Sequence, residues 1–223
     1  MKIKPIIRNR DVIYGNRDLK TIYTFKKFPV FMGTTKDIHK KDKFFKMRWQ
    51  ISKRSGMLQL NPLLPLEILY PETHNSGCVG KLWEQHHSEF AKFIKNFKPK
   101  KVLEIGACHG ILFEKFKKLQ KKIDWTIIEP NPQIKKELNV KIIKSFFDKN
   151  SKISNDTDMF VHSHVIEHIY DLHEFMSNLN KKIVQNKFMV FSVPNLEIML
   201  KKKYTNCVNF EHTIFLTQPF IKY

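Results

Sequence analysis

A chain of 223 residues with 42% hydrophobic and 13% aromatic side chains, 19 of them Phe, has the composition of a packed globular protein and excludes disorder along its whole length. Its 40 Lys and Arg against 21 Asp and Glu give a net charge of +19. Only five of the forty are Arg, the residue that grips phosphates and base edges bidentately, so the charge argues weakly for a nucleic-acid partner.

The three cysteines, Cys78, Cys108 and Cys207, are far apart and form no Cys-x-x-Cys pair, which excludes a disulfide framework and leaves no obvious structural zinc site. No apolar run approaches the roughly 18 residues of a membrane span. The first residues lack the apolar core of a signal peptide, so the chain is expected to work in the cytoplasm.

Residues 1–78 carry short apolar runs around Thr21–Phe25, Val30 and Met57–Leu60, separated by Lys/Asp-rich and Pro-rich stretches. They predict a small mixed module of strands and loops. A helix is expected from Lys81, with Leu82, Trp83, Phe90, Phe93, Ile94 and Phe97 on its apolar face and Pro99 as its stop. Trp83 is expected to pack in the core, and the His86-His87 pair to lie on the surface.

From there strands and helices alternate. Strands are expected at 101–105, 125–128, 140–143, 159–161 and 188–192, with helices around 112–119, 133–138 and 171–182. Short links between them imply a parallel sheet covered on both faces, in a second domain spanning 79–223.

Two features in that region point to a nucleoside-bearing ligand. Glu104-Ile-Gly106-Ala-Cys-His-Gly110 follows the first strand and opens a helix, where glycines admit a ligand to the backbone and the helix N-terminus offers free N–H groups. Glu129 ends the second strand, where a carboxylate can accept both hydroxyls of a ribose. Together they place an adenosine at the carboxyl ends of the first two strands.

The stretch from Val102 to Leu216 resembles the class I S-adenosylmethionine-dependent methyltransferases. The resemblance is carried by the Glu104–Gly110 loop, Ile128-Glu-Pro130, Phe146-Phe147 and His164-Val-Ile-Glu-His-Ile169. It implies an α/β fold, a Rossmann-like doubly wound parallel sheet with a small mixed N-terminal module, and S-adenosylmethionine as cofactor. The implied cofactor-binding residues are Glu104, Gly106, Ala107, Gly110, Glu129, Phe146, Phe147, Ser163 and His164. Five strands end by Ser192, whereas that family's sheet usually adds a two-strand hairpin, so the chain is expected to be truncated at its C-terminus.

A finer resemblance, to bacterial nucleotide-sugar C-methyltransferases, lies in Glu211-His212 following Pro194-Asn195, and in two turns of the N-terminal module. Asp11-Val-Ile-Tyr14-Gly15 and Ser52-Lys-Arg-Ser55-Gly56 stand where that family has Cys-x-x-Cys-Gly pairs of a zinc ribbon. With no thiolate left the module is expected to hold no metal. An acceptor hydroxyl needs a general base, for which His212 in the Glu-His pair is the leading candidate, with Glu211 and His168 as further catalytic candidates. Tyr70 and His74, in the segment between module and domain, are expected to reach over the cleft as acceptor ligands. The expected reaction is O-methylation of a nucleotide-linked sugar or a similar small polar acceptor, in the setting of surface-polysaccharide assembly. Sugar C-methylation and methylation of RNA through the basic surface remain the alternatives. Neither the acceptor nor the oligomeric state is fixed by the residues.

Overall fold

The computed structural model describes residues 4–31, 42–70, 80–183, 187–204 and 207–222. The chain divides into two compact units. One comprises residues 1–71, 166–173 and 193–223, and the other residues 72–165 and 174–192.

The second unit is built on a parallel sheet. Its strands β4 (Lys101–Ile105), β5 (Asp124–Ile128), β6 (Lys141–Ile143), β7 (Met159–Ser163) and β8 (Phe188–Ser192) stand in the order β6-β5-β4-β7-β8. The order reverses between β4 and β7, so the loops leaving those two strands diverge and open a crevice at their carboxyl ends. Strands β4 and β7 are almost wholly buried, as the central strands of a sheet covered on both faces must be.

Helices α2 (Lys81–Lys95) and α3 (Ile111–Leu119) pack together on one face. There Phe90, Ile94, Leu112, Phe113 and Phe116 form a core with Val102, Trp125, Met159 and Val190. Helix α4 (Leu172–Asn180) contributes Phe175, which meets the rings of His162 and Phe147.

Several expectations need correction. On α2, Leu82 and Phe93 are exposed, as is Phe97 just beyond its end, and the buried stripe is His87, Phe90, Ala91 and Ile94. The apolar-residue count aimed the helix wrongly because it left out an imidazole that packs like an apolar group. The helix expected at 133–138 is a single 3-10 turn, Lys136–Leu138. Pro130 and Pro132 precede it, and Asn139 leaves it in the left-handed region at φ 48°. The five parallel strands stand as expected, and among the described residues those after β8 add no strand to that sheet.

The first unit holds an antiparallel sheet of β1 (Leu19–Pro29), β2 (Phe44–Ser52), β3 (Leu58–Leu60) and β9 (Ile214–Phe215), in that order. Met47, Trp49, Leu60, Leu63, Leu64, Leu69, Phe210 and Phe215 make its core. Helices α1 (Leu66–Leu69), α5 (Leu196–Lys201) and α6 (Gln218–Lys222) complete it.

The two turns expected to descend from metal-binding knuckles are joined by side chains. The buried Asp11 carboxylate accepts from Ser55 Oγ at 2.9 Å and from the backbone N–H of Ile13 and Tyr14. Ser52 Oγ donates to Asp18 and accepts from the Ser55 N–H. Among the described residues no helix is long and apolar enough to cross a membrane.

Candidate functional site

The glycine loop after β4 is shaped by close approach. Gly106 has φ +73°, and a Cβ there would lie 2.6 Å from Cγ2 of Val165, in the segment after β7. Gly110 has φ +67°, and its Cβ would press on Ile134 at 3.3 Å. Only glycine takes both the backbone angle and the space. Cys108 and His164 are also left-handed, at φ 46° and 55°, so the loops leaving both central strands carry uncommon backbone conformations.

Glu129 is buried at the end of β5. Its Oε2 accepts from the Cys108 N–H at 3.1 Å and its Oε1 from the Asn131 N–H at 2.9 Å. Two backbone donors thus fix the carboxylate against the glycine loop and leave lone pairs on both oxygens for a diol. Loop and carboxylate fit a ribose-bearing cofactor.

Glu104, one strand over, is fully buried and its Oε2 accepts from Trp125 Nε1 at 2.9 Å. Burial pushes its pKa up to about 8 against the lowering effect of that bond, with the Glu129 charge adding to the rise. Glu104 is therefore mostly protonated at neutral pH and its side chain braces the sheet. Ala107 packs on the apolar core, Phe146 is exposed after β6, and Phe147 leans on Phe175.

At the ends of β7 and β8 the hydroxyls of Ser163 and Ser192 lie 2.8 Å apart. His86 Nε2 sits 3.1 Å from the first and 3.4 Å from the second. Around it stand Trp83, His87 and His164. His87 is buried and His86 half-buried, contrary to the surface position expected for the pair. The spacing 83, 86, 87, 90 on one helix face was the sequence signal for this cluster.

The model of a family described as "Methyltransferase domain" matches residues 80–220, well over half of the chain. This chain belongs to that methyltransferase family. No curated protein matches.

Among solved structures, the chain is similar to a SAM dependent methyltransferase from Archaeoglobus fulgidus at 22% identity and TM-score 0.47, over 62% of this chain and 65% of that one. It is also similar to coclaurine N-methyltransferase bound to N-methylheliamine and SAH, at 13% identity and TM-score 0.48, over 70% of this chain and 52% of that one. A third is the plantazolicin methyltransferase BpumL in complex with SAH, at 17% identity and TM-score 0.43, over 58% and 53%. The chain thus spans about half the length of the first structures it matches, at 53%.

The other unit of the chain holds the remaining candidates. The rings of His168 and His212 meet edge to face at 5.0 Å, and Tyr70 Oη lies 3.0 Å from His168 Nδ1. Fully buried Thr213 anchors this arrangement. Its N–H donates to the Glu167 carbonyl at 2.7 Å, and its own carbonyl accepts from the Leu60 N–H and from the Arg8 guanidinium. His212 is further fixed by its N–H bond to Asn209 Oδ1 at 2.6 Å.

Glu167, the acidic residue of the His164–Ile169 segment, is buried here. One of its carboxylate oxygens and a ring nitrogen from each of His168 and His212 lie within 4.8 Å of one another. Glu211 is half-buried, and its charge raises the pKa of Tyr170, though less than burial does. His74 lies outside the described residues.

Proposed function

We propose that this chain transfers a methyl group from S-adenosylmethionine to a hydroxyl of a small polar acceptor, a nucleotide-linked sugar being the reading favoured here. The single observation that carries the donor half is the Glu129 carboxylate held by the backbone of the loop between Gly106 and Gly110, at the reversal of strand order. In this reading Glu129 receives the ribose hydroxyls. Gly106, Ala107 and Gly110 pass the methionine part along the backbone, Ser163 and His164 border its far end, and Phe146 and Phe147 border the adenine.

The donor supplies an activated methyl carbon on a sulfonium. The protein's task is to align the attacking oxygen and remove its proton. His212 is the proposed base. His168 is set by its bond to Tyr70, and both rings are ordered by the fully buried Thr213 segment, which supports a positioned imidazole. Glu211 and His74 are proposed to hold the acceptor with Tyr70.

The nucleotide-sugar assignment rests on the resemblance of the Glu211-His212 segment and of the two N-terminal turns. In those turns the Asp11–Ser55 and Ser52–Asp18 bonds would do the joining that a zinc ion does in a ribbon. Surface-polysaccharide assembly is the corresponding setting.

The test is a panel of nucleotide sugars incubated with S-adenosylmethionine and read by mass spectrometry. A gain of one methyl on a sugar hydroxyl is the expected result. A methyl on carbon would move the reaction class. Transfer to RNA alone would overturn the acceptor.

A further inference from the structure

Trp83, His86, His87 and Phe90 stand at positions i, i+3, i+4 and i+7 of α2 and share one face of that helix. Trp83 and His86 meet His164 just beyond β7. The ring centroids of Trp83 and His86 lie 4.9 and 5.2 Å from that of His164, and His86 lies nearly parallel over Phe90 at 5.8 Å. The paired hydroxyls of Ser163 and Ser192 pin His86 through Nε2.

Burial, and then the neighbouring His164 and His87, push the His86 pKa down to about 4. Burial likewise lowers that of His87, with His164 and Lys115 acting in the same direction. In a chain of net charge +19, His86 is thus kept uncharged within a cluster of aromatic rings.

We propose that the Trp83–His86–His164 cluster is a subsite for an organic cation, and that the cation is the sulfonium of the methyl donor. This rests on the reading of the glycine loop and Glu129 as the donor site. Two observations join the cluster to that site. Gly106 approaches Val165, the residue after His164, so the glycine loop and the cluster border the same end of the β4–β7 pair. A ligand whose ribose sits at the end of β5 crosses the end of β4 toward β7 in this strand order.

The Trp83 indole and the uncharged His86 imidazole attract a cation through their negative faces, whereas an imidazolium in place of His86 would repel it. The product S-adenosylhomocysteine carries an uncharged thioether. The cluster therefore separates the charged donor from the spent product and favours exchange of one for the other.

Calorimetric titration of S-adenosylmethionine and S-adenosylhomocysteine into the full chain at pH 7.5 tests this, using wild type, His86→Lys, His86→Gln and Trp83→Leu. His86→Lys places a permanent charge in the cluster and is expected to weaken donor binding at least about tenfold more than product binding. Trp83→Leu removes the largest π face and is expected to weaken the donor about three- to tenfold more than the product. The neutral, hydrogen-bonding His86→Gln should leave the ratio of the two affinities within about threefold of wild type.

Equal losses for donor and product in His86→Lys and Trp83→Leu would overturn the subsite while leaving the donor site standing. Should His86→Lys fail to fold, Trp83→Leu decides alone. Failure of wild type to bind either ligand would instead overturn the donor reading, and the subsite with it.

Discussion

Each unit positions imidazoles, and they do it by different means. In the parallel-sheet unit, His86 rides on a helix whose own turns supply Trp83, His87 and Phe90, and its ring is caught by two serines at the ends of adjacent strands. In the antiparallel unit, His168 and His212 come from separate stretches of chain. They meet because Thr213 is gripped at once by the Glu167–Ile169 turn, by Leu60 and by Arg8. Local periodicity built the first arrangement, and long-range hydrogen bonding built the second. Damage to a single anchor should accordingly travel further in the antiparallel unit.

The largest effect should come from the second arrangement. If His212 takes the acceptor's proton, His212→Ala should lower kcat by about 10²–10⁴ while leaving the affinity for S-adenosylmethionine intact. Steady-state kinetics beside donor titration would check it. A near-normal kcat would remove His212 from the chemistry and leave its ordering purely structural.

Gly106→Ala probes the parallel unit in the same spirit. Its new Cβ would sit 2.6 Å from Val165 and its φ of +73° is strained for alanine. Strain of about 1–3 kcal/mol should appear as a donor affinity lowered roughly tenfold or more. Unchanged binding would mean that the loop is not shaped by close approach.

Asp11→Ala isolates the hydrogen-bonded turns of the antiparallel unit. It strips acceptors from Ser55 and from two backbone N–H groups at a buried position, a loss of roughly 1–3 kcal/mol in stability by denaturant titration. Donor binding should hardly change if the loss stays within that unit.

The smallest effects are in pH, and the parallel unit should show them with two opposite signs. His86 and His87 have lowered pKa values, so the unfolded chain binds protons first as pH falls below about 6.5, and stability declines from there toward pH 4. Glu104 has a raised value, so the unfolded chain loses its proton first, and stability declines as pH rises from about 4.3 toward 8. Thermal melts across pH should show His86→Gln flattening the acidic limb. Glu104→Gln, which keeps an acceptor for Trp125, should flatten the alkaline one. A single-signed dependence unaltered by either variant would contradict both assignments.

Most of the parallel unit was legible beforehand. Its five strands follow from short hydrophobic runs, three of which, β4, β5 and β8, run into a glycine or a proline, and the loop from Gly106 to Gly110 and Glu129 stand at the ends of two of them. The α2 face was not legible by counting apolar residues, because His87 is buried where Leu82 and Phe93 face solvent. An imidazole's place depends on whether a neighbour satisfies its nitrogens, and the Trp83 carbonyl that His87 Nδ1 meets belongs to the folded helix. In the antiparallel unit, the Asp11 and Ser55 turns were visible as a pair of glycine-ended motifs. Their mutual hydrogen bond was not, since nothing local sets two distant side chains 2.9 Å apart.

By itself the sequence determined what depends on neighbours along the chain: the alternation of strand and helix, the turns that only glycine can make, and the carboxylate closing the second strand of the parallel sheet. Tertiary structure alone decided that Ile214–Phe215 joins a sheet begun by Leu19–Pro29, that Glu167 is buried beside His168 and His212, and that Glu104 spends its carboxyl on Trp125. The physical reason is the range of the forces that fix each feature. Backbone dihedrals and hydrophobic periodicity act over a few residues, while strand pairing, burial and the pKa of a buried group depend on which remote segments exclude the water.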